Sequence, residues 1–131
     1  MIRIISIGKL REKYFLDACE EYLKRLTKYA KIEVIEAKSV ESALKQAKGY
    51  LVILDEKGMQ QDSEQFAYFI KDRDMTFIIG PAEGFTAKER ENADYLLSLS
   101  KMTFPHQMAK LFLAEQIYRA FTILKNEKYH K

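Results

Sequence analysis

The chain has 131 residues, 47% of them hydrophobic and 31% charged, with a formal net charge of +3 and one cysteine, Cys19. Those values suit one folded domain with a genuine core and give no hint of disorder, and the single cysteine excludes a disulfide framework and a thiolate metal cluster. No apolar run nears the roughly 18 residues that span a bilayer, and Ile2–Ile7 is too short for a signal peptide, so a cytoplasmic protein with no membrane and no metal is expected.

Taken in order, Ile2–Ile7 (IRIISI) reads as an isoleucine-rich strand ended by Gly8. Over residues 14–30 apolar side chains at Phe15, Cys19, Tyr22, Leu23, Leu26 and Tyr29 recur at three and four, and Asp17, Glu20, Lys24, Arg25 and Lys28 stand opposite. That spacing predicts an amphipathic helix. Residues 32–37 alternate in the period of two that strands use. A short helix over 40–48 follows, with Ser39 as N-cap and Gly49 as its stop. Residues 50–55 (YLVILD) form a near-continuous apolar run, as a central parallel strand should, and residues 55–58 read as the turn that leaves it. A helix opens at Asp62 and turns Phe66, Phe69 and Ile70 one way. Residues 75–79 are the fourth strand and 80–84 a loop. Thr86 and Glu89 form a capping box opening a short helix to Asn92. Residues 95–100 are the fifth strand. Pro105 and His106 then open a long helix with an apolar stripe at Met108, Leu111, Phe112, Tyr118, Phe121 and Leu124.

Strand and helix alternate five times, which predicts an α/β domain over residues 1–131 with a mainly parallel sheet of five to six strands and helices on both faces. Ligands of such sheets bind outside the carboxyl ends of the strands. Three of those ends are loops, at 54–55, 80–84 and 99–104. Glycine permits close backbone approach, so the second is either a cradle for a planar or anionic ligand or an ordinary tight connection. It lacks the dinucleotide-binding spacing, and no P-loop string occurs. Glu83 reads as a turn cap or a catalytic carboxylate. His106, at a helix mouth, reads as a cap, a satisfied polar group or a catalyst. Glu115 and Arg119, four apart, share a helical face and either pair there or act together.

From Ser100 onward six Lys/Arg face two acids, a surplus of four in a chain whose total is +3. Positive charge gathered at one end suits a polyanion, or else a solvated helix terminus. The chain ends Tyr129-His130-Lys131, an aromatic, an imidazole and an ammonium, the groups that hold unpaired RNA bases, unless the tail is merely basic and frayed.

Together the strings IISIGK, Leu54-Asp55, IIGPAEGF (residues 78–85), Leu-Ser-x-x-Thr-x-Pro-His (residues 99–106), AE-x-x-YRA (residues 114–120) and the Tyr-His-basic ending resemble the knotted SPOUT methyltransferases. The resemblance is greatest to the small bacterial family that methylates N3 of a pseudouridine in large-subunit ribosomal RNA. One departure stands out: Pro81 replaces the second glycine of the family's usual Gly-Gly-Pro-Glu-Gly. The resemblance implies a C-terminal trefoil knot, with the chain after Gly80 threaded through an earlier loop. It implies S-adenosylmethionine as cofactor, held by Leu54, Gly80, Leu99, Ser100, Lys101, Met102, Thr103 and Phe104. It implies catalytic roles for His106, Arg119, Tyr129 and His130, with Glu115, Lys128 and Lys131 at the RNA. It further implies a homodimer, whose tail reaches the partner's active site. A chain of this size has little surface for reading RNA sequence, so specificity is expected from the shape of a large partner, the assembled ribosome. Two other readings fit the residues less fully: a non-enzymatic RNA-binding module with decayed cofactor loops, and a flavodoxin-like nucleotide or phosphate binder.

Overall fold

A computed structural model describes residues 1–8 and 11–130. Its elements in chain order are β1 (Ile2–Ile7), α1 (Lys13–Leu26), β2 (Ile32–Ala37), α2 (Val40–Gln46), β3 (Tyr50–Gln60), α3 (Ser63–Ile70), β4 (Met75–Ile79), α4 (Ala87–Arg90), β5 (Tyr95–Ser98) and α5 (His106–Leu124). The strands form one sheet in the order β2-β1-β4-β3-β5, and every pairing is parallel. Parallel strands need crossover connections, and α1, α2, α3 and α4 supply them.

Strand alternation divides the core into two layers. Ile4, Val52, Phe77 and Ile79 point to the face covered by α1, α3 and α5, where Leu26, Phe66, Ile70, Leu113 and Ile117 meet them. Ile5, Leu51, Ile53 and Ile78 point the other way, toward Val40 and Ala43 of α2 and toward Phe85. Both faces being dry, the central strands read as unbroken apolar runs. No helix among the described residues is long and apolar enough to cross a membrane.

Local signals in the sequence set most helix starts. Ser39 accepts from the Ser42 N–H, and complete capping boxes open α3 (Asp62 with Gln65) and α4 (Thr86 with Glu89). Two expectations are corrected. Residues 55–58 do not leave the sheet for good: Leu54 and Met59 both stand opposite Leu97, so 55–58 arch out of the ladder and the strand resumes to Gln60. Asp55 stabilises the arch by accepting the Lys57 N–H at 2.9 Å, a local turn inside a longer strand.

The second correction concerns α5. Its buried apolar side chains are Leu113, Ala114, Ile117 and Ala120, not the stripe that the spacing picked out. Tyr118, Phe121 and Leu124 pack at the edge of the core, while Phe112 is 36% exposed. The helix is apolar on more than one face, because it meets the sheet on one side and α1 on another. Periodicity finds such a helix but not its inner face.

Candidate active site

The arch at 55–58, the loop at 80–84 and the segment 99–104 converge beyond the carboxyl ends of β3, β4 and β5. They enclose a cavity of about 340 Å3. Leu54, Gly80, Leu99, Ser100, Met102, Thr103, Phe104 and His106 all line it. Lys101 is exposed and is not among the lining residues. Apolar walls come from Ile79, Phe85, Leu97 and Ala109, and polar groups from Asp55, Glu56 and Arg90. The volume falls in the range of about 300–1,000 Å3 that small-molecule sites occupy.

Two side-chain contacts tie these segments together and a third shapes one of them. Arg90 Nε donates to Asp55 Oδ2 across 35 residues, joining the arch to the helix that follows the glycine loop. Burial of Asp55 opposes its charge, but the hydrogen bonds and charge of Arg90 and Lys57 outweigh that and hold the carboxyl below its ordinary pKa. On the arch's other side Thr103 Oγ1 donates to Glu56 Oε2 at 2.6 Å. Ser100 Oγ accepts the Met102 N–H at 3.0 Å and shapes the third segment.

The glycine loop closes as a tight turn in which the Gly84 N–H donates to the Pro81 carbonyl at 2.9 Å, with Gly84 at φ +79°. Proline serves here because the turn uses its carbonyl. Gly80 is a glycine for a packing reason: a Cβ there would lie 2.5 Å from the Phe85 ring. Phe85 thus occupies the space that a side chain at 80 would need, and leaves the backbone bare toward the cavity. Glu83 is exposed on the rim, and the cap of α4 belongs to Thr86 and Glu89 instead.

A second cluster forms at the far end of α5. Arg119 contacts Glu115 Oε2 through Nη2 at 2.8 Å and Nε at 3.1 Å, and donates from Nη1 to His130 Nδ1 at 3.0 Å. Arginine has no acceptor, so Nδ1 offers its lone pair and the ring proton sits on Nε2. Tyr129 donates to Glu115 at 2.9 Å, lies under the Arg119 guanidinium at 4.8 Å and is 3.3 Å from the Tyr22 hydroxyl. Burial first, then its bonds to Tyr22 and Glu115, push the Tyr129 hydroxyl well above its ordinary pKa and keep it protonated. Gln116 also donates to Glu115, at 2.8 Å. Lys128 is exposed beside this cluster, and Lys131 lies outside the described residues.

The site residues expected from sequence therefore fall into two groups. The cofactor loops and His106 line one cavity, and Glu115, Arg119, Tyr129 and His130 form one network. Thirteen residues of helix part His106 from Arg119, roughly 20 Å at 1.5 Å per residue. Asp55, Glu56 and Arg90 were missed as wall residues. The Leu-Asp string hinted at the first, whereas the Arg90 contact spans too much sequence to leave a local signal.

Comparison with known proteins agrees with the residues. The family described as "Predicted SPOUT methyltransferase" matches residues 1–130. The chain is 40% identical to "Ribosomal RNA large subunit methyltransferase H" of Caldicellulosiruptor bescii, covering 100% of both chains. It is 41% identical to the protein of that name from Coprothermobacter proteolyticus, covering 99% of each. Among solved structures, TrmJ from Z. mobilis ZM4 superposes with a TM-score of 0.60 over 92% of this chain and 70% of that one. At 10% identity that likeness concerns the fold alone.

Proposed function

The chain belongs to the SPOUT methyltransferases, among the ribosomal RNA large subunit methyltransferase H proteins, and from that membership we propose that it methylates N3 of a pseudouridine in 23S ribosomal RNA. The observation that carries the proposal is the cavity of about 340 Å3 bounded by the three loops at the strand ends. Its apolar walls suit an adenine ring, and backbone groups of Leu54, Gly80 and 99–104 along its wall suit hydrogen bonds to S-adenosylmethionine. That cofactor supplies a sulfonium methyl group open to nucleophilic attack.

The protein's part is alignment and charge. Loops joined by Asp55–Arg90 and Glu56–Thr103 hold the pocket in one shape before anything binds, which lowers the entropic cost of a productive pose. N3 of a uracil-type ring attacks best as an anion. The Arg119 guanidinium, fixed by Glu115 and His130, is the group to stabilise that charge and to grip the adjoining phosphate. His106 sits in the wall of the cavity and is the group to take the N3 proton, while His130 and Tyr129 orient the Arg119 guanidinium.

Arg119 and the cavity are too far apart along α5 to serve one reaction within a single chain. A homodimer resolves this: the tail cluster of one subunit closes the cavity of the other. Half-exposed Leu111 and Phe112 on α5 supply an apolar face for such an isologous contact. The trefoil knot belongs to the same reading, with the chain after Gly80 threaded to complete the pocket.

The test is transfer of labelled methyl from S-adenosylmethionine to bacterial ribosomes, with the modified nucleoside identified by mass spectrometry and cofactor binding measured by calorimetry. N3-methylpseudouridine in 23S RNA is the expected product. No cofactor binding by folded protein would leave the RNA-binding module as the better reading.

A further inference from the structure

Helices α1 and α5 run side by side in the same direction: Gln107 accepts the Glu12 N–H near their starts, Tyr22 meets Tyr118 at mid-length, and Tyr29 stacks on Phe121 near their ends. Their carboxyl ends therefore emerge together, beside the Arg119–His130 cluster. Five exposed cations gather there, Lys24, Arg25 and Lys28 from the first helix and the turn after it, Lys125 and Lys128 from the second. Three acids stand among them: Glu21 is engaged by Arg25 at 2.8 Å, Glu127 by the Tyr29 hydroxyl at 2.8 Å, and exposed Glu20 lies one turn before Lys24. Helix dipoles account for Lys24 and Arg25 in the last turn of α1 and for Lys125 at the C-cap of α5, at about 0.3–1 kcal/mol apiece. They do not account for Lys28 and Lys128, which lie past the helix ends.

The cations connect to the tail through aromatic rings. Arg25 lies over Tyr22 at 5.2 Å and Tyr118 at 5.5 Å; Tyr118 meets Tyr129 edge-on at 4.7 Å; Tyr129 carries Arg119 at 4.8 Å. Lys28 sits over Tyr29 at 5.0 Å. Rings hold these side chains extended along one surface, so less entropy is lost when an anion binds them.

We propose that this joint carboxyl-terminal face of α1 and α5, with Lys24 and Lys28 among its cations, is a phosphate-binding strip that grips the ribosomal RNA strand flanking the target nucleotide. It rests on the methyltransferase reading for the identity of its RNA. The strip sets where the strand lies and carries no base recognition, as phosphate contacts do.

Its signature is ionic. Each phosphate contact contributes roughly 0.7–0.9 to the slope of log affinity against log salt. The double variant K24Q/K28Q, at exposed positions outside the tail network, is compared with K45Q/K88Q, which removes the same charge from α2 and α4 on the opposite sheet face. Binding to purified bacterial large ribosomal subunits is measured by sedimentation over a salt series, and methyl transfer is measured in parallel. K24Q/K28Q is expected to lower the slope by roughly 0.7–0.9 for each lysine removed and to raise KM for the subunits several-fold. Its kcat and S-adenosylmethionine affinity should match wild type, and K45Q/K88Q should behave as wild type throughout. An unchanged slope, or an equal fall in K45Q/K88Q, overturns the strip. Wild-type protein that binds subunits through these lysines yet transfers no methyl would overturn the catalytic reading and leave the strip standing.

Discussion

Glu115 accepts from Arg119, Tyr129 and Gln116 at once, and that fixes what each neighbour can do. An i,i+4 pair in solvent is worth about 0.3–0.5 kcal/mol; here Arg119 and Glu115 are only 25% and 17% exposed and share a third partner, so the pair works as an orienting device. Arg119→Lys keeps the charge and loses the planar fork. It is expected to lower kcat by about 10²-fold or more with cofactor affinity unchanged, and near-normal turnover would remove Arg119 from the chemistry. Asp55 gives a pH prediction. Its native pKa is depressed, so its pairing stabilises the fold fully above the ordinary aspartate value of about 4 and ceases to do so as pH falls through the native value. Denaturation of wild type and Asp55→Asn should therefore differ most at neutral pH and converge in acid. The same variant should weaken S-adenosylmethionine binding, since it frees the arch from α4.

At the scale of elements, α5 carries three jobs on three faces: core toward the sheet, contact with α1, and an apolar surface left partly open. Ile117 is fully buried whereas Phe112 is 36% exposed and touches Phe104 edge-on at 5.0 Å. Ile117→Ala should cost about 2–5 kcal/mol of unfolding free energy. Phe112→Asp should leave the subunit folded and drive the protein toward monomers in analytical ultracentrifugation, with loss of turnover. A stable, active dimer of Phe112→Asp would move the interface elsewhere.

For the whole molecule, the roughly 20 Å along α5 between His106 and Arg119 makes the two halves of the proposed shared site separable by mutation. Arg119→Ala spoils the tail and Gly80→Val the pocket, where even a Cβ would strike the Phe85 ring. Each variant alone should be inactive. After unfolding and refolding together, mixed dimers holding one intact pocket and one intact tail should regain turnover; no recovery would refute a site shared between subunits.

What was legible in the sequence was local or periodic. Strand runs, capping boxes at Asp62 and Thr86, the helix start at His106 and the three strand-end loops all depend on neighbours within a few residues, where propensity and hydrogen bonding act directly. Family strings located the cavity wall for the same reason, except at Lys101. Only the tertiary structure decided the strand order, which face of α5 is inside, and that Asp55 meets Arg90, Tyr22 meets Tyr129 and the ends of α1 and α5 meet each other. Those contacts join residues 35 to 107 apart, and chain entropy leaves no local trace of them until the sheet and its two layers have formed.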